Sequence, residues 1–256
     1  MNKLTCKMWD EKLITEDTTH AYYDDAAGTE ANPRQGITAP AWPSDGYNVN
    51  NKYSWSKSPR YEGEPLEAGP LSRVLSAYLQ GNAFFKKAVD AVLQYLGVPG
   101  RVDVLVSTMG RVAARNIECL YVANLMIDWI NELCAALKGG DTEFFAEPET
   151  TTGEGAGMWE APRGAIYHYE KIKNNKIQKY QIIIPTTWNV GPRDKNGTPG
   201  PIEQALIGVP VNDMNKPIQA LRTVHSFDPC IACAVHITEP KTGKKFTTVT
   251  SPWGVR

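Results

Sequence analysis

The sequence predicts an α+β protein, mainly helical, with long central helices, a small β-hairpin or sheet region and extensive loops. Three observations carry this expectation. Apolar residues recur at three-to-four spacing between positions 71 and 96, the period of a helix that buries one face. A second run, beginning near Val102 or Ser107 and ending at Leu137, is apolar around much of its circumference, as expected of a helix that is central or faces a partner chain. Two β-prone runs flank Asn174-Asn175, a pair that tolerates the left-handed backbone of a tight hairpin turn.

In chain order, residues 1–56 are polar and aromatic, with His20, Tyr22, Tyr23, Trp42 and Trp55, punctuated by Pro33, Pro40 and Pro43. No long period is visible, but the aromatic rings disfavour disorder, so this stretch reads as irregular and ordered, lying over something else. From Pro70, residues Leu71, Val74, Leu75, Tyr78 and Leu79 form one helical face. Gly81-Asn82 interrupts it. Phe84, Phe85, Ala88, Val89, Val92, Leu93 and Leu96 continue it until Gly97 and Pro99-Gly100. In the longer helix, Ile117, Leu120, Tyr121, Ile127, Ile130 and Leu133 point to many sides, and Gly139-Gly140 stops it. Residues 140–158 read as a Gly/Thr/Glu-rich loop, 165–172 and 176–184 as the hairpin strands, and 185–200 as a Pro/Gly loop. Stretches 202–206 and 217–223 are short helical candidates, and 237–256 return to β-prone, Lys-rich sequence.

With 27 Lys+Arg against 28 Asp+Glu the formal charge of the 256-residue chain is −1, so no basic surface points to nucleic acid. A hydrophobic content of 42% with seven Trp argues against disorder. Wholly apolar runs are only a few residues long, such as Ile182-Ile183-Ile184, and no apolar leader follows Met1. Neither a membrane-spanning helix nor a signal peptide is therefore expected. Of the five cysteines, Cys6, Cys119, Cys134, Cys230 and Cys233, only the last two are close, which makes a poor disulfide framework. Cys119 and Cys134 lie in apolar helical sequence and are expected to be packed thiols.

The sharpest motif is Asp228-Pro229-Cys230-Ile231-Ala232-Cys233-Ala234-Val235-His236. Two thiolates three residues apart, on one turn, can grip a soft metal from one side. Asp228 places a carboxylate beside it. His236, on a helical turn, falls on the same side and can serve a second metal or orient the first. A zinc site wants four ligands, and no second Cys pair or His pair exists. A thioredoxin-like dithiol wants an early strand-to-helix turn, and this pair lies near the C-terminus.

The 228–236 segment resembles the C-terminal signature of the large subunit of nickel–iron hydrogenases. Three further segments resemble the same family, in family order. They are Glu160-Ala161-Pro162-Arg163-Gly164; Pro185-Thr186-Thr187-Trp188-Asn189 with Pro192-Arg193-Asp194; and Tyr53-Ser54-Trp55-Ser56-Lys57-Ser58-Pro59-Arg60-Tyr61 followed by Gly69-Pro70-Leu71 and Arg73. The family's large subunit extends well beyond this chain on the N-terminal side and carries a second Cys pair there. The resemblance therefore implies that residues 1–236 are the C-terminal half of a split or truncated large subunit. Met1 opens an otherwise intact half, which favours a separately translated polypeptide over a gene fragment. Residues 237–256 resemble the tail that an endopeptidase removes after His236 once nickel is in place.

The resemblance also implies roles. A nickel–iron centre, its iron carrying CO and cyanide, is held by four thiolates. Cys230 would be a terminal nickel ligand and Cys233 a bridge to iron. Arg163 would sit over the metals and act with Asp228 on H₂ or its proton; a structural ion pair is the plainer alternative for Arg163. Pro162, Pro185 and Thr186 would belong to the cofactor-binding shell, Thr186 competing with the reading of a plain turn hydroxyl. His236 and the backbone carbonyl of Ile182 would hold Mg²⁺. His168 and His225 read as structural, and His20 as a packed or surface imidazole. The implied activity is reversible oxidation of H₂ to protons and electrons. The implied partners are a separate N-terminal half, a small subunit carrying the iron–sulfur clusters that this chain lacks cysteines for, and a membrane cytochrome. Export on the small subunit's signal would place the assembly in the periplasm or at the membrane, with the cytoplasm as the alternative. Two competing readings are a non-catalytic relative serving as a structural subunit, and an inert truncated product. Retention of both cysteines and His236 argues against the first. A neighbouring reading frame with the other Cys pair would exclude the second.

Overall fold

The computed structural model describes residues 8–24, 30–41, 52–147, 151–214 and 216–230, with the backbone of Ala234–Thr238 and Lys245–Val249. The N-terminal stretch, expected to be irregular, contains a 3-10 turn at Glu11–Leu13 and a small antiparallel sheet. Strand β1 (Ile14–Asp17) is its centre, flanked by β2 (Glu30–Ala31) and β3 (Ser58–Tyr61). The strands escaped notice because they are short and because, besides Ile14, most of what they bury is polar: Glu16, Asp17, Ser58 and Arg60. Hydropathy alternation cannot reveal a strand whose inner face is charged.

Helices α1 (Pro70–Leu79) and α2 (Ala83–Tyr95) follow as expected. Pro70 sits at the first helical position, where its missing N–H costs nothing. The side chain of Asn82 caps α2, accepting from the amides of Phe84 and Phe85 at 3.1 and 3.3 Å. Leu71 and Val74 of α1 pack on Phe85, Val89 and Leu93 of α2, and on Leu105, Ala114 and Ile117. This is the first core.

The long helix α3 spans Thr108–Lys138, capped by the Ser107 hydroxyl on the Gly110 amide at 3.1 Å. Gly110 is dictated by close approach: a β-carbon there would lie 2.0 Å from the Leu105 carbonyl oxygen. Burial ends at Ile117. Beyond it Leu120, Met126, Ile127, Trp129, Ile130, Leu133 and Leu137 stand exposed. Of the two expectations for this helix, the bare distal half fits the partner-facing one. Cys119 and Cys134, expected to be packed, are exposed for the same reason. By length and composition alone, α3 is apolar and long enough to cross a membrane. Judging by unbroken apolar runs missed this, since scattered charges such as Asp128 and Glu132 interrupt them.

A second antiparallel sheet has the order β4-β5-β6: Gly153–Ala161, Gly164–Lys173 and Lys176–Ile183. Asn174 and Asn175 take φ of 51° and 60° at its hairpin, the geometry expected of the pair. Strand β4 starts inside the expected loop. It buries almost nothing and is held by its full pairing with β5, so its Gly-rich sequence gave no hydrophobic signal. Likewise Pro185 opens a short helix, α4 (Pro185–Val190), where a loop was expected. Pro185 supplies the first helical φ, and burial of Trp188 and Asn189 holds the turn. Ile14, Ala68, Tyr167, Tyr169, Ile183 and Trp188 form the second core. Helices α5 (Pro201–Leu206) and α6 (Ile218–Ser226) complete the helices. Strands β7 (Ala234–Thr238) and β8 (Lys245–Val249) pair antiparallel, with His236 opposite Thr247. His236 is therefore in a strand, not on the helical turn its spacing suggested, because β-prone residues follow it.

Candidate functional site

The site is assembled where four loops and helix ends meet. Its foundation is Arg60 of β3, 1% exposed. Its Nε donates to Asp194 Oδ2 at 3.2 Å, Nη1 to Ser58 Oγ at 2.7 Å and Nη2 to the Thr198 carbonyl at 2.9 Å. Burial pushes the Asp194 carboxyl up, but the amides of Thr198 and Asn196 and the Arg60 guanidinium outweigh it and hold the group below its ordinary value. Gly200 closes this loop: a β-carbon there would lie 1.9 Å from the Gly191 carbonyl oxygen.

On this base α4 presents two side chains. Asn189 clamps the peptide of Ala68, accepting from its N–H at 2.9 Å and donating to its C=O at 2.8 Å. Ala68 in turn abuts Gly164, whose φ is +135° and whose added β-carbon would come within 2.7 Å of the Ala68 side chain. The Pro162-Arg163 tip between β4 and β5 is thus seated against the 68–69 backbone. Thr186, buried beside Pro185, accepts a hydrogen bond from the Cys230 amide at 3.0 Å. A side-chain hydroxyl anchoring the cysteine's backbone leaves its sulfur free to act.

From the other side, α6 delivers Phe227 and Asp228. Asp228 holds a left-handed φ of 53°, which Asp tolerates better than most residues. Its Oδ2 lies 3.5 Å from Arg163 Nε and 4.0 Å from Arg115 Nε. Arg115 Nη2 also donates to the Ser226 carbonyl at 3.0 Å. One turn earlier on α3, Arg111 pairs with Glu67 and stacks 3.8 Å above the Phe227 ring. The Arg163 and Asp228 side chains are 43% and 44% exposed, and Cys230 is exposed. Even so, the Arg163 Nε atom is itself buried without a hydrogen-bond acceptor. That buried Nε faces Asp228 Oδ2 across the 3.5 Å ion pair.

Pro162, Arg163, Thr186, Asp228 and Cys230 are therefore brought into one region, with Pro185 beneath. Ile182 lies in the edge strand β6, and no described contact ties it to this region. Cys233, Cys6 and Trp42 lie outside the described residues, and only the backbone of His236 is described. Sequence reasoning left out Arg115 and Asn189 as site residues. Their signal was present in helical spacing (Arg111, Arg115) and in the last letter of the Pro185–Asn189 motif, but neither carries metal chemistry of its own. Among the described residues no cluster of three or more His, Cys, Asp or Glu forms a self-sufficient metal cage. A thiol with an anchored amide, near a guanidinium–carboxylate pair, could hold a soft metal from one side.

Comparison with known proteins yields a family model, described as nickel-dependent hydrogenase, that matches residues 1–236. The uptake hydrogenase large subunit of Rhizobium leguminosarum bv. viciae is 41% identical over 251 residues, covering 90% of this chain and 41% of that protein. The Hydrogenase-2 large chain of Escherichia coli (strain K12) is 39% identical over 235 residues, covering 89% and 41%. Among solved structures, the NiFeSe hydrogenase of Desulfovibrio vulgaris Hildenborough superposes with a TM-score of 0.73 at 33% identity, covering 87% of this chain and 44% of that one. The chain spans less than half the length of the relatives it matches.

Proposed function

The chain belongs to the nickel-dependent hydrogenase family, and from that premise we propose that it supplies Cys230 and Cys233 as half of the thiolates around a nickel–iron centre. The other thiolates belong to the N-terminal half of the large subunit. The observation that carries this reading is the half-built site itself: an exposed Cys230 with its amide held by Thr186, near the half-exposed Arg163–Asp228 ion pair.

Such a centre, when bound, would supply the chemistry for oxidising H₂ to two protons and two electrons. The chain's own residues do the rest. Cys230 and Cys233 hold metal. Thr186 fixes the Cys230 backbone, and Thr186, Pro162 and Pro185 would contribute to the shell around the iron's CO and cyanide. Arg163, paired with Asp228 through Nε, would offer its remaining guanidinium N–H groups to an iron-bound cyanide. Asp228, held by Arg163 and Arg115, would be the base that accepts a proton released at the site. His236 with the Ile182 carbonyl is the proposed Mg²⁺ site.

An iron–sulfur small subunit would accept the electrons, with a membrane cytochrome beyond it. The assembly would sit in the periplasm or at the membrane. The family match ends at His236, in keeping with removal of residues 237–256 during maturation; the intact mass of active protein should then end at His236, and a retained Arg256 would contradict this.

The test of function is H₂-dependent dye reduction by the chain co-produced with its N-terminal complement and an iron–sulfur partner. Removing one preorganised donor at a reacting site costs about 10²–10³-fold in rate. Arg163→Lys, which shortens and re-aims that donor, is expected to lose about 10²-fold at unchanged nickel content. Full rates in both Arg163→Lys and Asp228→Asn would contradict the reading, as would a wild-type assembly that binds no nickel and consumes no H₂. The latter is what a purely structural subunit would show.

A further inference from the structure

We propose that Arg73 is the positioning residue for Arg163, an inference that rests on the function proposed above. Arg73 has no obvious task on its own helix. It lies in the second turn of α1, four-fifths buried, and every one of its N–H groups is used. Nε donates to Glu118 Oε1 at 2.5 Å and Nη2 to Glu118 Oε2 at 2.7 Å, a two-pronged pairing with α3. Nη1 donates to Glu160 Oε2 at 2.6 Å and to the Ala161 carbonyl at 2.9 Å. Nη2 donates its other hydrogen to the Pro162 carbonyl at 2.8 Å.

The last two acceptors locate the function. Ala161 pairs with Gly164 at the end of the β4–β5 ladder, so the carbonyls near the tip need donors from outside the sheet. The Pro162 carbonyl belongs to the peptide that leads into Arg163. Holding that oxygen fixes the rotation of the peptide plane and with it the direction in which the Arg163 side chain leaves the backbone. Glu118, the other end of the clamp, is three residues from Arg115 on α3, and residues so spaced share a helix face. Arg115 holds the Asp228 end of the site. One helix therefore sets both distances: Arg115 places Asp228, and Glu118 through Arg73 places the hairpin tip. The Arg163–Asp228 separation of 3.5 Å is the outcome. Lysine cannot substitute, since a single ammonium carries the charge but cannot span a carboxylate and two carbonyls at once.

The experiment uses the assembled enzyme and, separately, the full chain. In the assembled enzyme Arg73→Lys is expected to keep its nickel and its KM for H₂ while kcat falls about 10²-fold, the loss that a misplacement near 1 Å produces. Combined with Arg163→Lys it should fall no further than Arg163→Lys alone, since both act through one guanidinium. In the full chain, trypsin should cut after Arg163 about tenfold faster in Arg73→Lys and in Glu118→Gln, while cutting after Lys173 at the far end of β5 keeps its rate. Losses that multiply in the double variant, or a trypsin pattern unchanged at Arg163, would overturn the proposal. A wild-type assembly without hydrogenase activity would overturn the function alone, and the trypsin comparison would still decide the role of Arg73.

Discussion

Arg60→Ala is expected to destabilise the full chain by about 3–5 kcal/mol, the cost of removing one partner from a buried ion pair. The guanidinium is almost fully buried, as is Asp194, and it holds Ser58, Thr198 and Pro192 as well. Its loss leaves the Asp194 carboxylate uncompensated inside the protein and frees the loop that carries α4. A domain has only about 5–15 kcal/mol in total, so the variant should unfold at markedly lower urea, and a change under about 1 kcal/mol would contradict the buried network. The sign with pH follows from Asp194. Its folded value is depressed, so it stabilises above the ordinary carboxylate range, and that contribution disappears as pH falls through the depressed value. Asp194→Asn should flatten this acid limb of the stability profile.

Cys230→Ser is expected to remove nickel from the assembled enzyme and with it all H₂ oxidation. A serine hydroxyl does not deprotonate near neutral pH and offers a hard oxygen where a soft thiolate is needed. The fold should not respond. The Thr186 hydroxyl bonds the backbone amide of residue 230, not its side chain, and the sulfur is exposed. The unfolding midpoint should therefore match wild type while the nickel content falls to background. Equal loss of stability would mean that Cys230 is a packing residue instead.

What could be read from the chain divides along physical lines. The helices 70–95 and 108–138 and the hairpin at Asn174-Asn175 were legible because each rests on a local rule: apolar period, cap, or left-handed turn residue. The sheet around β1 was not, since most of what it buries is polar (Glu16, Asp17, Ser58 and Arg60) and these groups pair with distant parts of the chain. Strand β4 was hidden because nothing on it is buried. The exposure of Cys119 and Cys134 was hidden too, since amphipathicity says a face is apolar but not whether this chain or another covers it. At the site, Arg163, Asp228, Thr186 and Cys230 were legible as members of motifs. Arg115, Asn189 and the clamp made by Arg73 were not, because their work is to hold other residues across more than forty positions of sequence.

The most direct test is nickel stoichiometry, measured on the full chain alone and again after co-production and maturation with an N-terminal complement bearing a second cysteine pair. With the complement, one nickel should be retained per assembly through dialysis against a chelator, and the chain alone should retain none. Equal retention by the chain alone, or none in the assembly, would contradict a centre whose thiolates are shared between two pieces of protein.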